Sequence, residues 1–248
     1  MPGLAWLTAQ PFAHRGLHDE AAGVIENTFS AFAAAIAGNY GIECDLQISA
    51  DGEAMVHHDD ALGRLTEGRG RLAEMSAADI KKARFKATAD RILRLNELCE
   101  LVGGRAPLLL ELKSHFDNDR RLAQRATDVL ANYAGPVAVM SFDPAMIEVV
   151  RWIAPHLTRG IVAERHYAHH EWDRFSPAEK RRMAFVLHAR HTRPHFIAFG
   201  VADLPALAPL IARAIFRLPL LTWTVRSAAD RARAARWADQ IIFEGIRP

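Results

Sequence analysis

The sequence predicts an α/β fold, a (β/α)8 barrel with a small insertion after its second strand, and three observations carry that prediction. Eight short apolar runs punctuate the chain, helix-period segments separate most of them, and 248 residues is an ordinary length for one barrel domain. Short strands alternating with amphipathic helices are the pattern of βα units and a parallel sheet, and eight such strands close a barrel. Residues 1–248 read as one domain, with 51–92 an insertion within it.

The strands are expected near Phe12 to His14, Gly41 to Ile48, Leu108 to Leu112, Val137 to Ser141, Arg159 to Val162, Phe196 to Gly200, Leu220 to Val225 and Gln240 to Phe243. The first helix is marked by Phe29, Phe32, Ala33 and Ile36 at i, i+3, i+4 and i+7, with Thr28 as its cap and Gly38-Asn39 as its stop. Helical periods also cover Leu95 to Val102, Arg120 to Asn132, Pro144 to Ile153, Pro177 to Arg190, Leu204 to Phe216 and Ala228 to Trp237. Asp51 to Ile92 is too long for an ordinary strand-to-helix connection. It reads as a hairpin over Glu53 to His57 followed by a charged helical piece around Ala77 to Phe85, placed on the rim of the barrel. No internal repeat or low-complexity linker interrupts the chain.

Composition narrows the function classes. Half the residues are hydrophobic and 24% are charged, as in ordinary globular proteins. Thirty-one Lys and Arg against 29 Asp and Glu leave a net charge of +2, with no dense basic stretch interleaved with aromatics, so nucleic acid is not an expected partner. Two cysteines, Cys44 and Cys99, are too few for a disulfide framework or a zinc motif, and a reducing, cytoplasmic setting is expected. Met1 to Phe12 carries no basic leader with a long apolar core, and no apolar run reaches a membrane span, so no transmembrane segment is expected.

In such a barrel the reactive groups gather at the C-terminal ends of the strands. His14 and Arg15 end the first strand, Glu43 and Asp45 lie on the second, Glu111 and Lys113 end the third, and Trp223 and Thr224 end the seventh. Because side chains alternate, Glu43 and Asp45 share one face roughly 7 Å apart, as do Glu111 and Lys113, while Ile42, Cys44 and Leu46 point to the helices. The bland alternative for Glu43 and Asp45 is the polar face of a half-exposed antiparallel strand. In a barrel both faces are covered, and three ionised carboxylates facing one space need a cation. An all-oxygen set suits Mg²⁺ or Ca²⁺ better than zinc.

These residues bring the chain into resemblance with a known family, the glycerophosphodiester phosphodiesterases. It resembles them in His14-Arg15-Gly16, in Glu26-Asn27-Thr28, in Glu43-x-Asp45, and in Asp51-Gly52 followed by His58-Asp59, Leu62, Arg64 and Thr66. The likeness continues through Glu111-Leu112-Lys113, Ser141-Phe142-Asp143 and Trp223-Thr224-Val225, in the family's order over residues 13–226. The resemblance implies a TIM-type barrel and metal-dependent hydrolysis of a glycerophosphodiester to glycerol 3-phosphate and an alcohol. It further implies His14 and His58 as the acid and base, and Glu43, Asp45 and Glu111 as ligands of one divalent cation. Arg15 and Lys113 would contact the phosphate, Trp223 the glycerol portion, and Glu26 and Asn27 would support the site, Asn27 by bonding the loop that carries His14 and Glu26 near the metal. The chemistry suits each role, since attack on an anionic diester needs charge neutralisation, and histidine can move protons near neutrality.

Alternatives stay open for single residues. His57 adjoins His58, and a hairpin shifted by one residue would put His57 into the site; Trp223 could be a core aromatic. Departures from the family pattern lie at Ile25, at Ile92-Leu93-Arg94-Leu95, at Phe243-Glu244 and at Arg226. The last two sit on the rim around the alcohol. A lysophospholipid or sugar phosphodiester is the alternative substrate, and a non-catalytic phosphate-binding barrel is the alternative from another class. The alcohol, the native cation, the attacking group and the oligomeric state are not written in the residues.

Overall fold

The structure, a computed structural model, describes residues 3–248; Met1 and Pro2, with which the stretch Met1 to Phe12 begins, lie outside the described residues. In chain order the elements are α1 (Trp6–Ala9), β1 (Phe12–Ala13), α2 (Phe29–Ala37), β2 (Gly41–Ile48), β3 (Ala54–Val56), β4 (Ala61–Leu62), β5 (Gly70–Arg71), α3 (Ala77–Ile80), α4 (Leu95–Val102) and β6 (Leu108–Leu112). They continue as α5 (Arg121–Leu130), β7 (Val137–Ser141), α6 (Pro144–Ile153), β8 (Thr158–Ala163), α7 (Pro177–Ala184), α8 (Ala189–Thr192), β9 (Phe196–Gly200), α9 (Leu207–Ala214), β10 (Leu220–Val225), α10 (Ala228–Trp237) and β11 (Gln240–Phe243).

Eight of the strands pair in parallel in the order β1, β11, β10, β9, β8, β7, β6, β2, and β2 pairs back with β1, so the sheet closes into the expected barrel. Its interior holds Phe12, Leu109, Ala138, Met140, Val162, Phe196, Ala198, Leu221 and Ile242, all buried, with Leu7 of α1 joining them. A second, larger cluster on the outer face includes Ile42, Cys44, Leu46, Leu108, Leu110 and Leu112 with the apolar faces of the helices. The period of two thus sends alternate residues of β2 and β6 to the helix layer, as read from the sequence.

Large and small residues interlock inside the barrel. A Cβ added at Gly160 would lie 2.3 Å from the Phe196 ring, and one at Gly41 would lie 2.6 Å from the Phe12 ring. Gly160→Ala is therefore expected to destabilise the fold by about 1–3 kcal/mol through overpacking. A urea titration checks this, and a midpoint equal to that of the parent chain would mean the ring moves aside freely.

Several helices differ from their periodicity, each for a local reason. Helix α3 stops at Ile80 because Phe85 is drawn into an antiparallel bridge with Thr66. The expected Pro177 to Arg190 helix is split into α7 and α8, since buried Val186 turns into the left-handed region at φ 52. Helix α9 starts only at Leu207, after Pro205, which has no N–H to give to a helix, while Val201–Asp203 forms a 3-10 turn. The segment 51–92 contains β3, antiparallel to β2, the two-stranded β4/β5 sheet and α3. It has its own small core of Met55, Leu62, Leu72, Ala77, Ile80, Phe85 and Ile92, which Ile25 joins.

Two histidines outside the barrel mouth make stability depend on pH. Burial pushes His188 and His195 down to about 4, reinforced by Arg182 and Arg159 respectively. The Nδ1 of His195 accepts the Arg159 N–H at 3.2 Å, which requires the neutral ring. An unfolded chain takes up these protons near pH 6.5 and the native one only near pH 4, so this stability is complete above about 6.5 and is lost as pH falls towards 4. For His188 the loss is on the order of 3 kcal/mol. Denaturant titrations at pH 7 and 4.5 should show the drop, and it should be smaller in His188→Asn; an equal drop in both chains would sink the assignment.

Candidate active site

The alternation that builds the core also builds the site. In five of the barrel strands, interior positions that are apolar at the start become polar or aromatic further along. Phe12 is followed by His14, Gly41 by Glu43 and Asp45, Leu109 by Glu111 and Lys113, Leu221 by Trp223 and Ile242 by Glu244. These groups meet at the C-terminal mouth, where a cavity of about 750 Å³ is lined by His14, Arg15, His58, Glu111, Lys113 and Trp223 among others.

Glu43, Asp45 and Glu111 each present a carboxylate oxygen, all within 4.8 Å of one another, and all three residues are buried. The half-exposed antiparallel alternative is excluded, because β2 lies between parallel partners and is buried at all eight positions. Lys113 Nζ bridges Asp45 at 2.9 Å and Glu111 at 2.8 Å. Burial by itself would raise the Asp45 carboxyl, but Lys113 and Arg15 outweigh it and hold Asp45 well below the usual carboxylate range. Glu43 receives only the Arg15 backbone N–H, at 3.0 Å, with the His14 ring 4.0 Å away. Burial, with the Asp45 and Glu111 charges beside it, pushes Glu43 well above the usual range. A dry, all-oxygen set with one uncompensated carboxylate fits a hard divalent cation.

Arg15 and Asn27 both take left-handed backbone conformations, each at φ 56. The Asn27 N–H donates to the Arg15 carbonyl at 2.9 Å, and its side-chain amide donates to Asp45 at 2.9 Å. Asn27 thus ties the loop carrying His14 and Arg15 to β2. Glu26 is paired with two arginines: its Oε1 accepts from Arg15 at 2.9 Å and from Arg64 at 2.7 Å. Arg15 also reaches Asp45 at 3.3 Å, so one guanidinium links Glu26 to the carboxylate cluster.

Each of the two histidines is paired through Nδ1 with a carboxylate. His14 Nδ1 lies 2.7 Å from Glu244, and burial pulls the His14 ring below its ordinary value despite that partner. His58 Nδ1 lies 2.8 Å from Asp59, which Arg64 grips at 2.6 and 3.1 Å. Nε2 is left as the free nitrogen of His58, which lines the cavity, and the Gln47 amide donates to its carbonyl at 2.9 Å. His57 does not line the cavity; it is 3% exposed, with Nδ1 at 2.9 Å from the Asp59 carbonyl. The hairpin register therefore presents His58.

Trp223 lines the cavity and also packs on the interior cluster, edge-on to Phe142 at 5.5 Å. Sequence reasoning did not assign Asp59, Arg64, Glu244 or Phe142 a part in this site. Asp59, Arg64 and Phe142 stand inside the motifs quoted above, and Glu244 was visible only as a departure from the pattern.

The chain matches the sequence model of the glycerophosphoryl diester phosphodiesterase family over residues 14–246. Among curated relatives, a glycerophosphodiester phosphodiesterase of Caldanaerobacter subterraneus is 32% identical over 60% of this chain, and one of Bacillus altitudinis is 28% identical over 61%. The matched stretch spans 65% of the length of each of these relatives. Among solved structures, an Oleispira antarctica phosphodiesterase, in complex with the product sn-glycerol-3-phosphate, is 19% identical with a TM-score of 0.76, covering 94% of this chain and 92% of that one. A glycerophosphodiester phosphodiesterase of Thermotoga maritima is 21% identical with a TM-score of 0.70, covering the same two shares. The likeness to these two structures is one of fold.

Proposed function

Because this chain belongs to the glycerophosphoryl diester phosphodiesterase family, we propose that it hydrolyses glycerophosphodiesters to glycerol 3-phosphate and an alcohol. The observation that carries this reading is the juxtaposition, at one barrel mouth, of three buried carboxylates, two basic side chains and two carboxylate-paired imidazoles. A diester phosphate is an anion, and nucleophilic attack adds negative charge to it. Arg15 and Lys113 supply positive charge at the cavity wall.

Glu43, Asp45 and Glu111 would hold one divalent cation, Mg²⁺ or Ca²⁺, which when bound supplies Lewis-acid neutralisation of the phosphate oxygens. His14 and His58 divide the two proton transfers: one ring takes the proton of the attacking hydroxyl and the other gives a proton to the departing alkoxide. Glu244 and Asp59 fix the ring orientations by binding Nδ1, so Nε2 of each is the working atom. The proton bookkeeping is the same for water and for a neighbouring glycerol hydroxyl that closes a cyclic phosphate. Trp223 and Phe142 offer apolar surface for the glycerol carbons. Among the described residues no helix is long and apolar enough to cross a membrane, and both thiols are free, which suits the cytoplasmic setting we propose.

The test is release of glycerol 3-phosphate from a panel of glycerophosphodiesters and lysophospholipids with Mg²⁺, Ca²⁺ and Mn²⁺. Turnover on the water-soluble diesters is expected with at least one of these cations. No glycerol 3-phosphate from any substrate and cation would overturn the reading.

A further inference from the structure

Beside the three-carboxylate cluster, a second group of ligand atoms lies on the rim between β1 and β11. His14, His18 and Glu244 each place one ligand atom within 4.8 Å of the other two. From this we infer a second metal site, for a borderline transition cation such as Zn²⁺, whose occupation inhibits the enzyme by withdrawing His14 from proton transfer.

The donor set separates this site from its neighbour. Two imidazoles and one carboxylate select zinc over the hard cations, and three protein ligands leave a fourth position for water. By contrast, Glu43, Asp45 and Glu111 offer only oxygen.

His18 supplies an independent observation. Its Nε2 is buried yet has no hydrogen-bond partner, which is unusual for a buried polar atom and costs stability unless a ligand uses the lone pair. The loop that carries it is tightly placed. A Cβ at Gly16 would lie 2.9 Å from Ala31, and the Leu17 N–H donates to the Ala31 carbonyl at 2.9 Å.

Glu244 can accept a metal without losing its support. Both of its contacts, His14 Nδ1 at 2.7 Å and Arg226 Nη2 at 2.8 Å, are made through Oε2, which leaves Oε1 for a metal. Arg226 is 57% exposed, so its guanidinium can swing into solvent as a cation arrives. Arg15, the other nearby cation, is already committed to Glu26 and Asp45.

The consequence follows from imidazole chemistry. Nδ1 is the His14 nitrogen beside Glu244. A metal on that atom displaces its proton, the neutral ring then carries its one proton on Nε2, and that nitrogen has no lone pair with which to accept another. This inhibition rests on the role proposed for His14, whereas the site itself does not.

Titration of the purified protein in excess Mg²⁺ tests both parts, with CoCl₂ as the spectroscopic probe and ZnCl₂ as the inhibitor. One equivalent of Co²⁺ should give the visible absorption of a tetrahedral nitrogen and oxygen site, and turnover should fall at least tenfold as zinc fills it. His18→Ala, with His18→Gln as a second variant, should keep Mg²⁺-supported turnover within about twofold. Both should lose the cobalt band and need at least tenfold more zinc for half-inhibition. A cobalt band unchanged in both variants would overturn the site, as would half-inhibition at the same zinc concentration in the parent and in both variants. Full zinc occupancy without inhibition would overturn the consequence alone. If the protein cleaves no diester, the cobalt titration still decides the site, so the two failures stay distinct.

Discussion

His58→Ala is expected to lower turnover by roughly 10²–10⁴-fold, and His14→Ala by a similar factor, with the fold intact in both. His58 lies on the rim with its side chain 31% exposed, so its loss removes little packing. What it removes is an oriented ring, held by Asp59, which in turn is clamped by Arg64. Rate assays with circular dichroism spectra check this. His57→Ala is the matched control: His57 is buried away from the cavity, so its loss should cost stability while turnover at a permissive temperature is kept. A His58→Ala enzyme within tenfold of the parent, or a His57→Ala enzyme that is folded and inactive, would reverse the assignment of the pair.

The second large effect concerns the three carboxylates. Chelation should abolish turnover, and Asp45→Asn should do so at any cation concentration, because Asp45 also anchors Lys113, Asn27 and Arg15. Glu43→Gln separates binding from folding. Glu43 is buried beside two like charges with no cationic partner in contact, so the cation-free protein carries a repulsion that glutamine relieves. The variant should melt a few degrees higher than the parent without cation, at about 2–4 °C per kcal/mol for a chain of this size. It should no longer respond to Mg²⁺ or Ca²⁺. The parent, by linkage, should gain about 2.7 kcal/mol at a cation concentration 100-fold above Kd. A parent melting temperature indifferent to every divalent cation would contradict the reading.

Much of the barrel was legible because its signal is local. Strands β2, β6, β7, β9, β10 and β11 fall where runs of buried apolar residues stand, and both faces of a parallel sheet are covered. Helix ends were less legible. Phe85 and Val186 leave the helical path for contacts with distant residues, Thr66 and the cluster around Ile147 and Leu204. Periodicity has no access to such contacts.

For the site, the sequence by itself determined the fold class and the strand ends from which His14, Glu43, Asp45, Glu111, Lys113 and Trp223 project, since a period of two assigns a side chain to a face. Only the tertiary structure decided that His58 rather than His57 meets the cavity, that Glu26 is paired with Arg15 and Arg64, and that Glu244 and His18 stand beside His14. His14 and Glu244 stand 230 positions apart, and closure of the barrel between β1 and β11 is what brings them within a hydrogen bond.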